Sequence, residues 1–131
     1  MRQNPEASLQ RAVVQYLSLL ENQRRLYFFA VPNQGGAGLK KRGAVLKGLG
    51  QRAGVSDLVI MYGSTGGVPK TAFVELKAPS GSMSLAQHLF ADQCERFGFE
   101  YHVVRGLDEM VNLIETWGLV RVRAEKKTRS P

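Results

Sequence analysis

Apolar residues near the start of the chain recur at helical spacing: Leu9, Val13, Tyr16, Leu17 and Leu20 fall on one side of a helix. Asn4 is suited to cap that helix, Pro5 to open it, and Glu6 to sit in its first turn, where the dipole favours a negative charge. The pattern fades between Asn22 and Arg25, and Leu26 to Val31 then reads as a short strand closed by Pro32. Residues 32–54 are glycine-rich and mostly loop, with room for one helical turn around Lys41 to Lys47. Two further strands follow, Asp57 to Tyr62 and Thr71 to Lys77, joined by the turn sequence GSTGGVPK. A second helix begins at the cap Ser84, with Leu85, Leu89, Phe90 and Phe97 as its expected buried side and Gly98 as its stop. Gln93, inside that stripe, reads as a hydrogen-bonded core residue. Tyr101 to Val104 gives a fourth strand, and Leu107 to Trp117 a last helix that turns Met110, Leu113, Ile114 and Trp117 inward. Tyr27, Phe28, Phe29, Phe73 and Phe99 are expected in the core, while Tyr62 and Tyr101 stay open. The order α-β-β-β-α-β-α, with hairpin signals in the middle and a βαβ crossover after the third strand, predicts an α/β fold: a mixed sheet with helices on its faces.

Composition narrows the class. With 131 residues, 44% hydrophobic and 22% charged, the chain fits one ordinary globular domain. No apolar run approaches the roughly 18–20 residues that span a bilayer, and the polar N-terminus lacks the apolar stretch of a signal peptide. The single Cys94, with only His88 and His102, cannot fill a four-ligand zinc site. These features predict a soluble intracellular protein with no membrane contact. No linker divides it, so residues 1–118 read as one domain and 119–131 as a basic tail, either disordered or a solvated surface.

Charge points to a partner. Lys and Arg number 18 against 11 Asp and Glu, a formal +7. No acidic residue falls between Glu21 and Asp57, whereas Arg24, Arg25, Lys40, Lys41, Arg42, Lys47 and Arg52 do. Cations interleaved with glycines suit a polyanion, and Lys40, Lys41, Arg42, Lys47 and Arg52 are the expected nucleic-acid contacts.

Three polar residues interrupt apolar strand sequence and carry the candidate chemistry. Asp57 opens DLVIMY, and Glu75 and Lys77 end TAFVELK two residues apart, on one face of a strand. If those strands pair in the right register, about 4.8 Å apart, Asp57 and Glu75 converge. Two such carboxylates repel unless one is protonated or a cation lies between them. Oxygen ligands select Mg²⁺ or Mn²⁺. An E-x-K triplet alone is weak: Glu125-Lys126-Lys127 supplies another in the tail, and an exposed edge-strand charge pair is the competing explanation.

The ordered set Gly54-Val55-Ser56-Asp57, Glu75-Leu76-Lys77 and Ser84-x-x-Gln87, ahead of a helix stop at Gly98, resembles the VRR-NUC (virus-type replication-repair nuclease) branch of the PD-(D/E)XK nucleases. The likeness runs from about Asn4 to Trp117. It implies a restriction-endonuclease-like core in which Asp57, Glu75 and the backbone carbonyl of Leu76 hold Mg²⁺ or Mn²⁺. It further implies Lys77 as the catalytic lysine, Gln87 as a supporting residue near the substrate, and Glu6 as an accessory acid from the first helix. The implied activity is hydrolysis of DNA phosphodiesters, selective for branched, flapped or nicked duplex in replication or repair. The implied setting is a homodimer in the cytoplasm of a bacterial cell or phage-infected host. A Holliday-junction resolvase or restriction-like nuclease on the same fold, or a non-catalytic nucleic-acid-binding module, are the alternatives. A nucleotide cofactor is not expected. Gly48-Leu49-Gly50-Gln51-Arg52-Ala53 fits G-x-G-x-x-A but lacks the preceding strand and following helix, and no glycine run completes a phosphate-binding P-loop.

Overall fold

A computed structural model describes residues 4–32 and 48–121. Within them the elements are α1 (Pro5–Asn22), β1 (Tyr27–Ala30), β2 (Leu58–Gly63), β3 (Pro69–Leu76), α2 (Leu85–Phe97), β4 (Glu100–Val104) and α3 (Leu107–Thr116). The four strands form one sheet in the order β1-β2-β3-β4. β1 and β2 pair antiparallel, as do β2 and β3, whereas β3 and β4 run parallel with α2 as their crossover. This is the mixed sheet with flanking helices that the patterning predicts.

Local chemistry starts and stops the helices where it should. The Asn4 side chain accepts from the N–H groups of Glu6 and Ala7, at 2.9 and 3.3 Å, satisfying donors that a helix leaves unpaired. At Ser84 a full capping box opens α2, and Gly98 closes it in the left-handed conformation at φ 80°.

The sheet has two unlike faces because strand side chains alternate. On one face Leu58, Ile60, Ala72, Val74, Leu76 and Val104 join Val13, Leu17 and Leu20 of α1 and Met110, Ile114 and Trp117 beside α3 in a single core. The other face carries Phe73, Glu75 and Lys77 and is covered by α2, whose Phe90 ring meets Phe73 edge-on at 5.4 Å. At the sheet end marked by Glu100, Tyr62 stacks on Trp117 at 4.1 Å. The Glu100 carboxylate accepts from the Tyr62 hydroxyl, from Trp117 Nε1 at 3.0 Å, and contacts His102 Nε2 at 3.1 Å. Burial alone would raise the Glu100 pKa, but these donors outweigh it and hold the carboxyl below its ordinary value.

Several expectations are corrected. Leu85, Leu89 and Phe97 are not the buried side of α2: they are 74%, 55% and 68% exposed, and Gln93 is exposed as well. The helix instead faces the sheet through Gln87, Phe90 and Cys94, because the polar contact at Glu75 and the aromatic contact at Phe73 lie on that side. Tyr27, Phe29 and Phe99 likewise remain about half exposed; Tyr27 and Phe29 lie on β1, with which α2 makes no contact among the described residues. Asp57 lies just outside β2, and β3 begins at Pro69 rather than Thr71. Leu119 is buried in the core, its carbonyl accepting from Arg25 Nη1 at 2.6 Å. The helical turn at Lys41 to Lys47 and the tail beyond residue 121 lie outside the described residues. Among the described residues no helix is long and apolar enough to cross a membrane.

Candidate active site

The antiparallel register of β2 and β3 pairs Leu58 with Val74; one step further along sets Asp57 opposite Glu75. The ladder does not continue through the backbone there. Asp57 Oδ2 instead accepts the Leu76 N–H at 2.8 Å, which ends β2 at Leu58 and fixes the carboxylate against the end of β3. The N–H and carbonyl of one extended residue leave a strand on the same side, so the Leu76 carbonyl is on the Asp57 side too. Glu75 is 2% exposed and Lys77 8%, so the sequence Glu-Leu-Lys places a buried acid and a buried cation on the face beneath α2.

The GVSD loop reaches this position because of its glycine. Gly54 has φ +82°, and a Cβ there would meet the Ala86 backbone of α2 at 2.4 Å. Ser56, almost wholly buried, donates to the Leu58 carbonyl at 3.0 Å and holds the loop into the strand. Gly54→Ala is therefore expected to cost at least about 2 kcal/mol of stability, checked by denaturant unfolding. A variant as stable as the wild type would show that the loop does not depend on this close approach.

Gln87 acts on Glu75. Its Nε2 donates to Glu75 Oε2 at 2.7 Å, while its Oε1 accepts the Ser84 N–H at 2.9 Å and its own N–H donates to Ser84 Oγ at 3.2 Å. The amide orientation is fixed by this network, because the oxygen is already taken by a backbone donor. The second Glu75 oxygen, Oε1, is buried with no hydrogen-bond partner among the described residues.

Electrostatics reinforce the geometry. Burial pushes the Glu75 carboxyl up to about 8, aided by the neighbouring Asp57 charge and opposed by Lys77. Asp57 is also raised, first by burial and then by Glu6, against the lowering effect of the Leu76 N–H and Lys77. The Asp57 charge opposes ionisation of Glu75, a cost that a cation between the two carboxyls relieves. An orphaned buried oxygen and two neighbouring carboxyls fit a hard divalent cation.

Glu6 reaches this neighbourhood from the first turn of α1. It bears on both carboxyls as a charge, and its Oε2 lies 3.4 Å from where a Gly81 Cβ would stand. It does not complete a three-carboxylate cage: no group of three or more His, Cys, Asp or Glu able to hold a metal occurs among the described residues. Arg52 is exposed, whereas Lys40, Lys41, Arg42 and Lys47 lie outside the described residues.

Two residues at the site escape sequence reasoning. Tyr101 packs its ring edge-on against Phe90 at 5.9 Å, and its hydroxyl is buried without a hydrogen-bond partner among the described residues. Arg105 follows β4 and gathers three carbonyls of the loop after Lys77: Ala78 at 2.9 Å, Pro79 at 3.4 Å and Gly81 at 2.7 Å. The only signal for Arg105 is a cation at the end of an apolar strand. That signal becomes informative once β4 is known to lie parallel to β3.

Comparison with known proteins agrees with this architecture. No curated protein matches the chain. Among solved structures it is similar to a protein described as a VRR_NUC domain protein, at 18% identity and a TM-score of 0.66, with 89% of this chain and 90% of that one covered. At that identity the likeness is one of fold. The model of the VRR-NUC domain matches residues 4–108, a span that contains Glu6, Asp57, Glu75, Lys77 and Gln87. The chain thus belongs to the VRR-NUC family of nuclease-type domains.

Proposed function

We propose that this protein is a divalent-metal-dependent endonuclease that hydrolyses DNA phosphodiester bonds, with a preference for branched, flapped or nicked duplex. The observation that carries the reading is half-buried Asp57 beside buried Glu75, with buried Lys77 on the same face as Glu75. Buried carboxyls at this spacing cost stability unless they serve a cation. Asp57, Glu75 through its unpartnered Oε1, and the Leu76 carbonyl would hold Mg²⁺ or Mn²⁺, which supplies Lewis acidity at the phosphoryl oxygen.

The chain's own residues supply the rest. Gln87 holds the Glu75 carboxylate by one oxygen, so the other is presented in one orientation. Lys77, buried beside both acids, offers an ammonium that stabilises negative charge building on the phosphoryl group. The excess of cations between Glu21 and Asp57 neutralises neighbouring phosphates. A homodimer is part of the reading, supported by the apolar side chains left exposed on α2 and the β1–β2 face, Leu85, Leu89, Phe97, Tyr27 and Phe29.

The test incubates the full chain, whose solution mass is measured alongside, with supercoiled plasmid and with branched, flapped and linear duplexes in Mg²⁺, Mn²⁺ or EDTA. Cleavage is expected with either metal and none with EDTA, faster on the branched and flapped substrates, from a protein of dimer mass. Binding without cleavage, unaffected by EDTA, would instead make the chain a non-catalytic nucleic-acid-binding module.

A further inference from the structure

Arg105 is held in an arrangement that loop stability alone does not require. All three carbonyl contacts, to Ala78, Pro79 and Gly81, are made by Nη1. A guanidinium has five N–H donors, so the Nε and Nη2 donors remain. They have no hydrogen-bond partner among the described residues, and neither is a buried unpartnered atom. Among the described residues no carboxylate lies within ion-pair distance of its side chain. Among the described residues the one acid–base contact within ion-pair distance joins His102 and Glu100. Glu109, four residues further on, accepts the Arg105 backbone N–H at 2.8 Å rather than the guanidinium.

Its place in the fold is specific. The last β3–β4 pair is Leu76 with Val104, and the Lys77 N–H donates to the Val104 carbonyl at 3.0 Å. Lys77 and Arg105 therefore follow one another off two parallel strands about 4.8 Å apart. The loop that Arg105 grips begins at the residue after Lys77 and includes Gly81, which lies beside Glu6. The charges that bear on the Asp57–Glu75 pair are Lys77 and Glu6, so Arg105 stands at the rim of the carboxylates rather than among them.

From these observations we infer that Arg105 is a phosphate contact for the nucleic-acid backbone next to the cleaved bond, set in place by the Ala78, Pro79 and Gly81 carbonyls. A planar guanidinium presents paired donors that match two phosphate oxygens. With Nη1 anchored, the remaining donors enter the complex already oriented, and the uncompensated charge finds its counterion in the substrate. The inference rests on the nuclease reading above and adds a named residue for the strand outside the metal-binding pair.

The test measures DNA affinity of the full chain in EDTA, where cleavage does not compete, as salt rises from roughly 50 to 200 mM, a range over which phosphate contacts dominate the response. The wild type is expected to lose affinity linearly on a log–log plot. Arg105→Met keeps the stem and removes charge and donors; its slope should be shallower by about 0.9, the value of one phosphate contact. Arg105→Lys keeps the charge but not the fork, and should retain the wild-type slope. If the Met variant does not fold, Arg105→Gln, whose amide can still donate to a carbonyl, carries the same expectation. A neutral variant with the wild-type slope, even one with lowered cleavage, would make Arg105 a loop clamp only and overturn the inference. A wild type that shows no salt-dependent DNA binding would instead remove the nuclease reading itself, so the two failures are told apart by the first titration.

Discussion

Asp57→Asn is expected to abolish DNA cleavage, to leave DNA binding within a few-fold, and to raise the stability of the metal-free protein. The three outcomes follow from one geometry. Asn at position 57 still offers an oxygen to the Leu76 N–H, so the end of β3 stays in place. The negative charge beside Glu75 is gone, and with it the repulsion that helps push that carboxyl upward. The buried site relaxes while losing an anionic ligand. Lys77→Met should lose cleavage as well, its stem keeping the packing of a residue that is 8% exposed. Removing one positioned charge from such a site typically costs about 100- to 1,000-fold in rate. Plasmid nicking, filter binding and denaturant unfolding on the two variants check these outcomes. Cleavage near the wild-type rate by either one removes the proposed site, and an Asp57→Asn variant less stable than the wild type contradicts the repulsion between the pair.

Without metal, the protein is expected to lose stability as pH rises from about 4.5 toward 8. Glu75 is raised from an ordinary value of 4.5 to about 8 by burial and the Asp57 charge. Between those values the folded state holds a proton that the unfolded chain has released, so folding is favoured by acid. The contribution is fully present below about 4.5 and is gone above about 8. For a carboxyl that is 2% exposed it amounts to a few kcal/mol, or roughly 10 °C in the melting temperature of a domain this size. The measurement is a melting series in EDTA, compared at each pH with Glu75→Gln, which cannot titrate there. The difference between the two proteins should grow with pH and vanish on adding Mn²⁺, because a divalent cation takes the place of the Glu75 proton. The same competition makes Mn²⁺ bind more tightly as pH rises through this window. Parallel melting curves for the two proteins at all pH values would show that Glu75 carries no such proton.

Much of this site is visible in local sequence. Asp57 stands at the head of an apolar strand, Glu75 and Lys77 share a strand face by simple alternation, and Ser84 with Gln87 spells a capping box. The second function of Gln87, orienting Glu75, is less visible: a capping glutamine has a sufficient local reason to exist, and its free amide finds Glu75 only across the crossover. The buried side of α2 was misread for a related reason. Leu85, Leu89 and Phe97 look like a core stripe, yet hydrophobicity says only that a surface prefers to be covered, not which layer covers it.

What the amino-acid order determined by itself is everything governed by near neighbours: the caps at Asn4 and Ser84, the left-handed stop at Gly98, the alternation that puts Glu75 and Lys77 together, and the sequence of seven elements. Tertiary structure alone decided the β2–β3 register that sets Asp57 against Glu75, the parallel seating of β4 that brings Arg105 beside the Lys77 loop, and the face that α2 turns to the sheet. The reason is range. Propensity, capping and alternation act over a few residues, whereas register and layer packing are settled by contacts between segments far apart in the chain, which no local pattern encodes.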